Sequence, residues 1–77
     1  MKIFVKNKNQ LKEKILVKGF SQRSLAREAG IAESYINQII NGCRNPSGKV
    51  AHKICEALET DFYDIFFIDN AYKSKIM

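Results

Sequence analysis

Glu33, Ser34, Tyr35, Asn37 and Gln38 place hydrogen-bonding side chains around Ile36, with a second isoleucine, Ile39, close behind. Ile36 and Ile39 lie one helical turn apart and share a face. If that face is buried, the polar residues turn outward together. Their chemistry is recognition rather than bond-making. A side-chain amide donates and accepts side by side, which suits N6 and N7 of adenine; a carboxylate can accept from cytosine N4, and a hydroxyl can serve either. Covalent chemistry has little to work with. The chain has one histidine, no nucleophile–base pair at a meaningful spacing and no Gly-rich phosphate loop, so it is not expected to be an enzyme.

Such a face needs a scaffold, and the residues before it supply one. Leu25 and Ala29 are spaced one turn apart, Ile31 follows Gly30, and small Ala26 sits where a second helix must pass closely. Gly30 can take the positive φ that ends a helix without a Cβ penalty. The spacing predicts two short helices crossing over a tight turn, with Ile31 plugging the corner. A pair locked in this way can push the exposed side of its second helix into the DNA major groove.

The remaining elements follow from caps and apolar period. A first helix is expected from about Gln10 to Lys18, capped by Asn9, with Leu11 and Ile15 as its stripe, Leu16 beside them, and Gly19 ending it. Ser21 should cap the second helix, with Phe20 and Leu25 forming a hydrophobic staple across the cap. The third should run from Glu33 to Ile40. Ala32, before it, offers no side-chain oxygen to the free amides, and Asn41-Gly42 closes it. Ser47 should cap a fourth helix whose apolar set is Val50, Ile54, Ala57 and Leu58, and Asp61 a short fifth with Ile65 and Phe66 turned inward. Lys2-Ile3-Phe4-Val5 and Phe66-Phe67-Ile68 are short β-branched or aromatic runs, and their pairing as an antiparallel ribbon is the preferred reading. A frayed end and a longer fifth helix are the alternative. The expected fold is therefore an all-α, compact five-helix domain, with a short terminal β-ribbon. One domain is expected over residues 1–77, with the paired-helix motif at 21–41, a strand at 2–5 and a C-terminal extension at 67–77.

Composition bounds the class. Hydrophobic residues make up 45% and charged residues 27% of the 77, as in an ordinary globular domain. The longest apolar run, Ile65-Phe66-Phe67-Ile68, is too short to span a bilayer. The start of the chain does not read as a secretory signal, so a cytoplasmic location and reduced Cys43 and Cys55 are expected, with no membrane association. His52 and Cys55 are spaced i, i+3, but Cys43 is the sole further candidate ligand, too few for a structural zinc site. No metal, cofactor or small-molecule ligand is expected. Cys55 reads as a core filler and His52 as a solvent-facing residue.

Charge is divided along the chain. Residues 1–53 hold eleven Lys/Arg against Glu13, Glu28 and Glu33, a balance of +8, whereas residues 54–70 hold five acids and no Lys or Arg. A basic front and an acidic back orient a protein toward a polyanion.

Taken together, Gln22, Leu25, Ala26, Ala29, Gly30, Ile31, Ile36, Ile39, Asn41-Gly42, Pro46 and the later run Val50, Ile54, Ala57-Leu58 and Asp64-Ile65-Phe66 resemble the phage repressor/Cro-type helix-turn-helix family, also called the xenobiotic-response-element family. Ala32 departs from the Ser or Thr often found at the third helix's cap, and Glu59 stands where glycine frequently ends the fourth. The resemblance implies a sequence-specific regulator of transcription that binds double-stranded operator DNA, usually as a symmetric dimer, most often as a repressor. It implies base contacts from Glu33, Ser34, Asn37 and Gln38. It also implies a phosphate contact from Gln22 at the start of the second helix, where free amides favour an anion. Asn41, Arg44, Asn45 and Lys49 flank the same groove and, with Arg23 of the basic surface, would anchor rather than specify; Tyr35 would press on a thymine methyl or on a phosphate. Lys6, Lys8, Lys12 and Arg27 would extend the basic surface. Candidate dimer residues are Phe62, Tyr63, Phe67 and Ile68. The competing reading is an antitoxin-type or protein-interaction module that also binds DNA; the lack of a long partner-wrapping segment argues against it.

Overall fold

The computed structural model describes residues 2–69. In chain order these form β1 (Lys2–Val5), α1 (Lys8–Val17), α2 (Gln22–Ala29), α3 (Glu33–Ile40), α4 (Gly48–Leu58), α5 (Phe62–Ile65) and β2 (Phe66–Asp69). The fold is an all-α helix-turn-helix domain of five helices closed by a two-stranded ribbon.

Local chemistry sets most boundaries. Ser21 accepts from the Ser24 amide at 3.1 Å, and Ser24 Oγ accepts from the Ser21 amide at 2.8 Å, a reciprocal cap that starts α2. Gly30 ends α2 in the left-handed region (φ 73°), and the Ile31 amide then donates back to the Ala26 carbonyl at 2.9 Å. That turn delivers Ile31 half-buried to the corner. α3 starts from Ala32 with no side-chain cap, as its residue type requires.

Two expected caps differ from the structure. α1 begins at Lys8 because Asn7, not Asn9, accepts the Gln10 amide at 3.1 Å. Both asparagines are competent caps; tertiary pairing selects the earlier one, since the Lys6 amide donates to the Ile65 carbonyl at 2.8 Å and ends the strand there. Asp61 occupies the cap position of α5 but makes no side-chain cap bond. The Asp64 amide it would satisfy already donates to the Asp61 backbone carbonyl at 3.1 Å, and the Asp64 carboxylate instead accepts from the Thr60 hydroxyl at 3.0 Å.

The core sits between α2, α3 and α4. Leu25, Ile36, Ile39, Ile40, Ile54, Leu58 and Phe66 are the largest fully buried side chains. Ala26 is buried with them, and its small side chain lets the neighbouring helices approach. Leu16 and Val17, by contrast, are exposed. α1 buries only Leu11 and Ile15.

The ribbon is antiparallel, pairing Lys2 with Asp69, Ile3 with Ile68, Phe4 with Phe67 and Val5 with Phe66. Strand alternation puts Ile3 and Val5 against the core and stacks Phe4 on Phe67 on the other face, ring centroids 5.5 Å apart. The expected extension at 67–77 is thus strand through Asp69, and its remainder, residues 70–77, lies outside the described residues.

Glu59 ends α4 at φ 53°, ψ 50°, a left-handed conformation that costs an L side chain about 1–2 kcal/mol. Glycine removes that cost but loses about 0.5–1 kcal/mol to the flexibility of the unfolded chain. Glu59→Gly is therefore expected to raise stability by up to about 1 kcal/mol, read from the midpoint of urea unfolding. A lower midpoint would show that the Glu59 side chain itself contributes to the fold.

Candidate nucleic-acid interface

Burial divides α3 by face. Ile36, Ile39 and Ile40 are buried, whereas Glu33, Ser34, Asn37 and Gln38 are all exposed and Tyr35 is half-buried. The four residues expected to touch bases therefore lie together on the outward side of one helix. Asn41, Arg44, Asn45 and Lys49 follow it and are exposed as well.

Hydrogen bonds tie this face to α2. The Asn37 amide donates to Gln22 Oε1 at 3.0 Å, and Asn41 Nδ2 donates to Asn37 Oδ1 at 3.1 Å. Gln22 acts as acceptor in that bond, so its own N–H donors stay available for an anion at the start of α2. Gln38 Oε1 accepts from Arg44 at 3.5 Å, a long bond that breaks readily. The Arg44 guanidinium also sits 4.5 Å over the Tyr35 ring, a cation–π contact that holds it beside the helix. Glu33 accepts from Arg23 Nε at 3.5 Å, with both side chains largely exposed. That pair contributes little to stability, but it offsets the one carboxylate on the face.

Two features escaped sequence reasoning. The amide chain Gln22–Asn37–Asn41 joins residues whose order along the chain gives no hint of contact. Lys8, read only as general basic surface, donates to the Asn41 backbone carbonyl at 3.3 Å, where a cation suits the negative end of α3. The earlier start of α1 is what brings it there.

The acids gather at the α4–α5 junction, where Glu56, Glu59, Asp61 and Asp64 line a groove with Lys14 that no α3 residue borders. Cys55, buried under it, has its thiol pushed up to about 11, by burial first and then by the Asp61 and Asp64 carboxylates. It packs as a protonated core residue. Of the expected dimer residues, Tyr63 and Phe67 are exposed while Phe62 and Ile68 are half-buried.

Two helices crossing over a tight turn, with one face of the second buried and its hydrogen-bonding face outward, define a helix-turn-helix DNA-binding domain. A family model described as "Helix-turn-helix" matches residues 11–65, and the chain belongs to this family, in its phage repressor/Cro type. It is 43% identical over 65 residues, 84% of each chain, to the uncharacterized HTH-type transcriptional regulator YqaF of Bacillus subtilis (strain 168). Its structure is similar to that of the restriction-modification controller protein C.AhdI from Aeromonas hydrophila, with a TM-score of 0.69 and 32% identity over 74% of this chain and 86% of that one. The hypothetical transcription factor NHTF from Neisseria shares the fold at a TM-score of 0.70 and 23% identity, over 91% of this chain and 79% of that one. The protein is a DNA-binding transcriptional regulator and not an enzyme. Among the described residues no helix is long and apolar enough to cross a membrane.

Proposed function

We propose that the protein is a repressor that binds a two-fold operator as a homodimer, laying α3 of each subunit in the major groove and occluding a promoter. The observation that carries this reading is the outward polar face of α3, held against α2 by the bond between Asn37 and Gln22. Gln38 is the adenine reader, because its single tie to Arg44 is long and easily exchanged for N6 and N7. Ser34 and Glu33 reach the neighbouring bases, Glu33 as acceptor from cytosine N4 once it leaves Arg23. Asn37, engaged on both sides, reads at the cost of one of those bonds. Gln22, Arg23, Tyr35, Asn41, Arg44, Asn45 and Lys49 anchor phosphates.

One helix-turn-helix offers few base contacts, which favours a dimer on two half-sites. The exposed rings of Tyr63 and Phe67, with Phe62 and Ile68 behind them, are the proposed dimer surface. The similarity to a restriction-modification controller protein supports a regulatory role.

Selection of bound sequences from a random DNA pool tests the proposal. It should return a two-fold motif with half-sites about one helical turn (~34 Å) apart. An asymmetric motif, or none, would overturn the operator reading. With about five to seven phosphates neutralised per dimer, log K should fall against log salt with a slope of roughly −5 to −6. A slope near zero in a binding titration removes the phosphate anchors.

A further inference from the structure

We propose that the terminal ribbon carries a DNA-backbone anchor of its own, in which Lys2, with Arg44 and Asn45, grips a phosphate outside the bases that α3 touches. The inference rests on the operator-binding reading and extends its footprint to a part of the chain that lies outside the matched family segment, residues 11–65.

A surface groove is lined by Lys2 and Ile3 of β1, Tyr35 of α3, and Arg44, Asn45 and Pro46 of the following loop. It opens directly onto the recognition face, since Arg44 sits over the Tyr35 ring at 4.5 Å and also reaches Gln38 at 3.5 Å. Two cations and an amide donor over apolar walls suit a phosphodiester, which offers charge and acceptors to the first and a sugar to the second. Lys2 is presented on a paired strand rather than a loose arm. The Phe4–Phe67 stack and the bond from the Lys6 amide to the Ile65 carbonyl fix that strand, so little ordering is left to oppose binding.

The groove has a built-in brake. Asp69 lies opposite Lys2 in the ribbon register, and opposite charges on directly paired residues attract one another, so its carboxylate opposes phosphate binding at that ammonium. Removing that charge should strengthen the anchor, whereas a purely structural role of the ribbon predicts no gain.

The test is a binding titration of the full chain, as wild type, Lys2→Ala, Asp69→Asn and Gln38→Ala, against the pool-selected duplex and a scrambled duplex over a range of salt. Lys2→Ala should weaken both duplexes by about 3–10-fold at ~0.1 M salt and make the salt slope shallower by about 0.9 per subunit. Asp69→Asn should tighten both by a few fold. The melting temperature of Lys2→Ala should match wild type, because Lys2 is exposed. Wild-type affinity and slope for Lys2→Ala, with Gln38→Ala still altering sequence preference, would overturn the ribbon anchor and leave the operator reading intact. Absence of duplex binding by the wild type would overturn both.

Discussion

Phe66→Ala is expected to cost about 3–5 kcal/mol of folding stability, most of what a domain of this size holds. Such domains have total stabilities near the lower end of about 5–15 kcal/mol. Phe66 has no exposed surface and stands where α5 gives way to β2. Its ring packs against Phe62 at 5.5 Å between centroids, and its backbone pairs with Val5 of the opposite strand. Truncation removes apolar area from the core and leaves a cavity where α5 gives way to β2. At about 4–8 °C per kcal/mol for a domain of this length, the melting temperature should fall by roughly 10–40 °C. A thermal melt followed by circular dichroism measures this. A cost below about 1 kcal/mol would mean that the ring is not part of the core it borders here.

Gln38→Ala should weaken binding to the selected operator by roughly 1–3 kcal/mol and relax the preference at one position of each half-site. The salt slope should hardly move, because Arg44 keeps its place over Tyr35 and the phosphate anchors persist. Affinity for scrambled DNA should likewise stay near wild type. The pattern across sequences is therefore the readout, rather than the size of the loss alone. Equal weakening on every duplex would move Gln38 from base reading to anchoring and leave Ser34, Glu33 and Asn37 as the remaining readers.

Much of the fold was legible along the chain because its signals are local. The bounds of α3, Glu33–Ile40, and the caps Ser21 and Ser47 depend on residue types within one or two turns. So does the left-handed ending at Gly30. The inward turn of Ile36, Ile39, Ile65 and Phe66 follows from apolar spacing. The misread positions are those where a distant partner decided between local equals. Asn7 and Asn9 are equally good caps until Lys6 pairs with Ile65. Leu16, beside the stripe of Leu11 and Ile15, is 73% exposed, because among the described residues no other element covers that side of α1.

The sequence by itself determined the helix-turn-helix frame, the outward polar set on α3 and the basic character of the front half, all of which follow from side-chain type and period. Tertiary structure alone decided which of those polar side chains are tied down. Asn37 is held between Gln22 and Asn41, while Gln38 keeps only a long contact to Arg44. It also decided that β1 and β2 pair, setting Lys2 beside Tyr35 and Arg44. Hydrogen bonds and strand pairs between residues far apart in the chain form only once the core has fixed the helices. Local pattern carries no record of those distances.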